Sequence, residues 1–487
     1  MSSDHPSKGR APKRPPSHRH GGAFQKTASA GGKRPGNPNA AGRREAPRRE
    51  PPGFIVRALA VRLVDAVTRQ GRALDDALAR EFALEPGRSL ETRDRGLARL
   101  IASTVLRRMG ELDAVIGSFI DRPLPDDRGL LTPILQSAAA QLLFLDIAPH
   151  AVINIAVEQC RRDRGARRFD RLANAVLRRV SERGREIVEA GAGARLNIPD
   201  WMWPRWVGAY GEPIAQRIAE ASLTEAALDI SARTDAAEWA QRLDGTLLPT
   251  GSIRLSGGSR IEDLEGFADG AWWVQDAAAA LPARLLGDVR GLRVADLAAA
   301  PGGKTLQLAG AGALVTAVDI SGERLSRVRE NLQRVGLQAD VLKADILDWS
   351  PAEPFDAVLL DAPCIATGTI RRHPDILRLR RPGDVAKLAQ LQARMLERAA
   401  ALVRPGGLLV YCTCSMEPEE CEQQIPRLLR AQPSFARVAV TAPEVGGEPQ
   451  WISADGDLRT LPFHMTGPGH CAGGMDGFFA SRLRRLT

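Results

Sequence analysis

Two cysteines carry the most pointed chemistry in this sequence. Cys364 follows the apolar run of "FDAVLLDAPC", and Cys414 closes "GLLVYCTC", 50 residues further on. A single cysteine is ordinarily a small buried hydrophobe. Two that end separate strands, and so meet at one edge of a sheet, are suited to act on one substrate, because a thiolate is a strong nucleophile. Six cysteines in 487 residues are too few for a disulfide framework. That predicts a reducing, cytoplasmic setting in which thiols stay free.

A second constellation lies in "VADLAAAPGGKT", residues 294–305. A phosphate-cradling loop needs G-x-x-x-x-G-K-[ST], and its first glycine would fall at Ala298, so that reading fails. The glycines still let backbone approach a ligand closely. Asp319 closes "ALVTAVDI", 23 residues after Asp296, a spacing that suits the two hydroxyls of a ribose. Asp345 in "LKADILDW" and Asp361 in "LLDAPC" sit at two more strand ends. G-x-G-x-x-G is absent, so a dinucleotide pyrophosphate lacks support. Three carboxylates without a phosphate cradle fit a ligand of hydrogen-bond donors and positive charge. S-adenosylmethionine is such a ligand, with its ribose, adenine amino group, sulfonium and ammonium.

The elements that must position these residues are legible from pattern. "LRVADL" (292–297), "ALVTAVDI" (313–320), "FDAVLLDAP" (355–363) and "GLLVYCTC" (407–414) read as strands; "SGERLSRVRENLQRVG" and "VAKLAQLQARMLERAALV" read as helices. This alternation predicts an α/β, Rossmann-like domain over 291–487, an open and mostly parallel sheet with helices on both faces. Ligands in such sheets lie at the carboxyl ends of the strands.

Residues 53–190 read as helical throughout. Leu97, Leu100, Ile101 and Val105 form one stripe, and Phe169, Leu172, Ala173, Val176, Leu177 and Val180 another. Arg99, Arg107, Arg108, Arg178 and Arg179 are expected on or beside the polar faces. Residues 191–290 read as a small mixed α/β connecting domain. Its Trp201, Trp203 and Trp206, next to Arg205, either stack on bases or anchor one domain against another.

The net charge of +9 arises in residues 1–52, where twelve Lys/Arg face only Asp4, Glu45 and Glu50; the remainder is balanced. That tail is poor in large apolar residues and is expected to be disordered, giving salt-dependent affinity for nucleic acid or solubility. No apolar run of about 18 residues predicts a membrane span, and no secretory leader is expected.

"AAAPGGKT", "DAPCIATGTIRRHPD", "VYCTCSMEPEE" and the terminal "GGMDGFFASRL" make residues 270–487 resemble the RNA 5-methylcytosine methyltransferases. "LLTPILQSAAAQLLFLDIAPHAVINIAVEQ" followed by "FDRLANAVLRRV" resembles the NusB-like all-helical RNA-binding domain over roughly 55–185, departing from its usual pattern at Gln136-Ser137-Ala138. Joined, they resemble the Sun/Fmu, RsmB-type branch. The resemblance implies transfer of a methyl group from S-adenosylmethionine to C5 of a cytosine in small-subunit ribosomal RNA, with transfer RNA as the second substrate class. No metal is expected, and neither is an oligomer; a monomer is the default.

In that family the T-C-S cysteine, here Cys414, is the nucleophile, and the P-C cysteine, here Cys364, helps release product. The cofactor residues map onto Ala298, Ala299, Ala300, Pro301, Gly302, Gly303, Lys304, Asp319, Asp345 and Asp361. Ala298 stands where cysteine is frequent, Ile365 where serine is common, and Cys412 is additional. Thiolate addition at C6 makes C5 enamine-like and able to accept a methyl group. Asp361 is expected at the N3 edge of the cytosine with Lys304 assisting; no acceptor for the C5 proton is assigned. The target base must be unstacked into the site. Two other readings are a DNA 5-methylcytosine enzyme, in which Cys364 attacks, and a non-catalytic RNA-binding assembly factor.

Overall fold

Seven amphipathic segments build the N-terminal part of the computed structural model, which describes residues 50–191, 193–255, 260–466 and 473–487. They are α1 (Phe54–Thr68), α2 (Leu74–Ala83), α3 (Thr92–Arg107) and α4 (Met109–Gly117), then α5 (Leu131–Phe144), α6 (Pro149–Arg162) and α7 (Asp170–Ala190). One core gathers their apolar faces, including Leu59, Leu63, Leu106, Leu112, Leu177 and Val180, all fully buried. The expected stripe on α3 is displaced. Ile101 and Val105 are buried, but Leu100 is 37% exposed, and Ala98, Ala102 and Leu106 complete the inner face. Arg107 is also not on a polar face: it is buried, and its Nη2 donates to the carbonyl of Arg371 at 2.9 Å. Of the basic tail, only residues 50–52 fall within the described residues.

Two short helices follow, α8 (Trp203–Tyr210) and α9 (Glu212–Ser222). They share a core with Ile370, Ile376, Met416 and Leu461 from far along the chain. A small antiparallel sheet comes next, ordered β2-β3-β1-β4, from β1 (Leu228–Ala232), β2 (Thr246–Leu247), β3 (Ile253–Leu255) and β4 (Trp272–Val274). Its inner charge is paired: Arg254 forks onto both oxygens of Asp229 at 2.8 and 2.9 Å and reaches the carbonyl of Gly474 at 2.6 Å.

The large sheet is built from β5 (Arg293–Leu297), β6 (Leu314–Asp319), β7 (Asp340–Lys343), β8 (Phe355–Asp361), β9 (Val403–Thr413), β10 (Phe435–Arg437), β11 (Leu458–Thr460) and β12 (Phe478–Arg485). Its order is β10-β12-β9-β8-β5-β6-β7, with β11 also on β12. The five strands β9-β8-β5-β6-β7 run parallel, and β12 lies antiparallel to β9, β10 and β11. The expected α/β sheet is therefore present, with an antiparallel margin. Strand β9 starts at Val403, earlier than its apolar run, and carries a register shift against β8 at Phe355/Ala357. Helix α10 (Gly322–Val335) begins with Ser321 accepting the amide of Arg324 and stops at Gly336, whose φ of 69° is the left-handed conformation that ends helices. Residues Pro51–Thr487 form one compact unit. Among the described residues, no helix is long and apolar enough to cross a membrane.

Candidate active site

Parallel pairing of β8 with β9 decides where the cysteines go. Asp361 and Cys412 are register partners, so the residues just beyond them, Cys364 and Cys414, emerge side by side. Their sulfurs lie 3.5 Å apart, both half-buried. Cys412, two residues earlier on the same strand face, is fully buried with its Sγ 3.7 Å from Asp361 Oδ1. The contact with Cys414 and burial push the Cys364 thiol well above its ordinary range.

The turn after β5 forms the adjacent wall. Ala298 takes a φ of 59°, and Gly302 one of 106°, with a would-be Cβ 3.3 Å from Val328. A non-glycine in the left-handed region costs about 1–2 kcal/mol, and Ala366, with φ 62°, repeats the feature on the cysteine side. Both alanines line a cavity of about 900 Å³ that also holds Cys364 and Cys414. A second cavity of about 500 Å³ is lined by Ala299, Gly303, Lys304, Asp361 and Cys414 among others. Lys304 Nζ lies 2.7 Å from Asp361 Oδ2 and 4.9 Å from the ring centre of Phe478. Burial alone would lower the pKa of this ammonium, but Asp361 and its neighbours outweigh that, and the net direction is upward. Lys304 is therefore charged. Behind it, burial raises Asp296 to about 7, although Thr305 Oγ1 donates to it at 2.5 Å.

The structure thus gathers Ala298–Lys304, Asp361, Cys364 and Cys414, and treats the other two carboxylates differently. Asp319 is buried; it accepts from the amides of Ala300 (3.3 Å) and Ser321 (2.9 Å) and pairs with Arg324 at 3.5 Å. Asp345 is exposed beyond β7 and accepts from the amide of Leu347. Neither lines the two cavities. Asp319 ends β6 and Asp345 follows β7, the two strands beside β5 in the order β5-β6-β7, so the acidic set runs along one carboxyl edge. This fits a donor-rich, positively charged ligand laid across the edge, with Arg324, which also donates to the carbonyl of Ala300, covering Asp319.

Arg372, Glu420 and Asp476 were not singled out in the sequence, whereas Arg205 and Trp206 were. Arg372 reaches into the smaller cavity and is gripped by the buried Asp476, with Asp276 at 3.8 Å. Glu420, fully buried, accepts the amide of Ile365 at 3.2 Å and Gln392 Nε2 at 3.0 Å, fixing the loop that carries Cys364. Helix α8 grips the segment after Cys414: Arg205 Nε and Trp206 Nε1 donate to Glu417 at 2.8 and 3.2 Å, and Tyr210 Oη donates to the carbonyl of Met416 at 2.5 Å. Trp206 is wholly buried, so it anchors rather than stacks on bases. The signal for Arg372, Glu420 and Asp476 was their presence in the quoted stretches "DAPCIATGTIRRHPD", "VYCTCSMEPEE" and "GGMDGFFASRL". Among the described residues, no cluster of His, Cys, Asp and Glu could hold a metal ion.

Comparison with known proteins agrees with both halves. The model of the 16S rRNA methyltransferase RsmB/F family matches residues 284–484, and that of the NusB family matches residues 55–182. Ribosomal RNA small subunit methyltransferase B of Salmonella paratyphi B is 35% identical over 450 residues, covering 88% of this chain and 98% of the relative. Its counterpart in Xanthomonas campestris is 37% identical over 399 residues, covering 78% of this chain and 88% of the relative. The crystal structure of PH0851 superposes with a TM-score of 0.66 at 24% identity, covering 89% of this chain and 99% of that one. NSun6 from Pyrococcus horikoshii with SFG gives 0.50 at 18% identity, covering 59% and 98%. At these identities, the two structures speak for the fold. The chain belongs to the RsmB/F family of 16S ribosomal RNA methyltransferases, enzymes that take their methyl group from S-adenosylmethionine.

Proposed function

We propose that this enzyme methylates C5 of a cytosine in 16S ribosomal RNA through covalent attack of Cys414 on C6. The observation that carries the reading is the position of Cys414, which borders both cavities beside Cys364 and the Lys304–Asp361 pair. S-adenosylmethionine supplies an electrophilic methyl group on a sulfonium. Ala298–Lys304, Asp319, Asp345 and Asp361 would hold it along the carboxyl edge of the sheet.

Arg372 and Cys414 line the same smaller cavity, which sets a cation beside the attacking sulfur. The sulfur adds to C6, and the electron pair released at C5 takes up the methyl group. Asp361 and Lys304 offer an acceptor and a donor side by side to the amino and N3 edge of the base, stabilising charge as it develops. Loss of the C5 proton then restores the C5=C6 bond as the C6–S bond breaks. Cys364, held as a thiol, donates a hydrogen bond to the departing sulfur at the observed sulfur separation. A cytoplasmic monomer, with a helical RNA-binding part at 53–190, a connecting part at 191–290 and a catalytic part at 291–487, completes this reading.

The test is to incubate variants with S-adenosylmethionine and transcribed 16S ribosomal RNA. Cys414→Ala forms neither product nor adduct, while Cys364→Ala accumulates a covalent enzyme–RNA complex. The reverse pattern moves the nucleophile to Cys364 and overturns the proposal.

A further inference from the structure

The reaction releases one proton from C5, and the groups facing the two cavities narrow the choice of acceptor. Asp361 is bonded to Lys304, and Asp476 is gripped by Arg372. Cys364 is held as a thiol. Of the titratable side chains that border both cavities, Asp361, Cys414 and His373, the first is paired and the second is the nucleophile, which leaves His373. It borders both cavities, as do Cys414 and Asp361, and its side chain is 44% exposed. Its Nδ1 lies 3.6 Å from Asp75 Oδ2, at the start of α2. A carboxylate there favours the proton on Nδ1 and leaves the Nε2 lone pair free as an acceptor.

The pairing is fixed by neighbouring bonds. The amide of Leu74, adjacent to Asp75, donates to Asp375 Oδ2 at 3.0 Å, and Arg107 donates to the carbonyl of Arg371 at 2.9 Å. The helical domain therefore holds the loop 371–375 on both sides of His373. Gly71, Ala73 and Asp75 themselves line the larger cavity opposite the cysteines.

We infer that His373 is the catalytic acceptor of the C5 proton and that Asp75, reaching across from the helical domain, is the positioning residue that orients its imidazole. This rests on the C5 reading above. Proton balance is simple. The C5–H electron pair forms the C5=C6 bond, the C6–S pair leaves on Cys414, and Nε2 carries the proton until solvent removes it. Burial lowers the basicity of His373; Arg372 and Arg99 lower it further, and Asp75 and Asp375 oppose them. The net direction is downward, so the ring is neutral and ready near pH 7.

The experiment is single-turnover methylation of transcribed 16S ribosomal RNA carrying tritium at cytosine C5. His373→Gln is expected to transfer methyl groups into a covalent complex that keeps its tritium, with tritium release slowed about 100-fold or more. Release within threefold of the parent rate overturns the inference. Asp75→Asn provides a second reading that a merely structural contact does not give. Removing the carboxylate lowers the pKa of His373, so the acid limb of the pH–rate profile moves about 0.5 unit to lower pH, as for a half-exposed pair. An unmoved limb contradicts the orienting role. If the parent enzyme methylates this RNA without releasing any tritium, the C5 reading itself fails, which is a separate outcome.

Discussion

The sheet domain and the helical domain place functional residues by different rules. In the sheet, chain position is site position. Asp361 ends β8, Cys364 follows three residues later, and Cys414 comes one residue after β9. Parallel register then puts the sulfurs in contact. In the helical domain, periodicity separates inside from outside but says nothing about which outer residues become the wall of an active site. Asp75 and Arg107 acquire their roles only through docking, and no spacing within α2 or α3 marks them. A strand end is a geometric statement. A helix face is only half of one.

Four outcomes sharpen that comparison. The largest belongs to the strand-end class: Cys414→Ser, which keeps size and polarity but loses the strong nucleophile, lowers turnover at least ~10⁴-fold with the thermal midpoint unchanged. A docking residue should do the opposite, costing stability first. Arg254→Ala leaves Asp229 buried without its partner and detaches the small sheet from Gly474. Denaturant unfolding should show a loss of about 3–5 kcal/mol.

The third outcome is a matter of pH. Burial raises Glu420 to about 7, above its value in the unfolded chain. The native state therefore holds this proton more tightly, and its contribution to stability is complete at low pH and lost as pH rises through about 7. Glu420→Gln cannot titrate. Unfolding at pH 5 and pH 8 should show the variant losing less stability than the parent, by about 1–3 kcal/mol. The fourth is Arg107→Ala, which removes one charged hydrogen bond to the carbonyl of Arg371, worth about 1.5–3 kcal/mol in stability when fully formed. Released from one tether, loop 371–375 should also weaken turnover a few-fold, which steady-state kinetics would detect.

How much was legible follows from the same contrast. Strand–helix alternation gave the catalytic fold, and the strand-end carboxylates and the resemblance supplied the ligand edge and the cysteine roles proposed above. What stayed hidden was tertiary. Leu100 lies on the outer flank because Ala98 and Ala102 let α3 pack closely through small side chains. Arg107 is buried because a carbonyl from a loop 264 residues away receives it. Trp206 anchors because Glu417, itself buried, accepts its indole. Each depends on a partner distant in the chain, and local pattern cannot name one.

The most direct measurement uses 16S ribosomal RNA transcribed with 5-fluorocytidine, whose C5 carries no proton to lose, so the adduct cannot resolve. Incubation of the parent enzyme with S-adenosylmethionine, followed by nuclease digestion and peptide mass spectrometry, identifies the attached residue. The account predicts a methylated fluoropyrimidine on the peptide bearing Cys414. Attachment at Cys364, or methylation of this RNA without any protein-bound nucleotide, contradicts it.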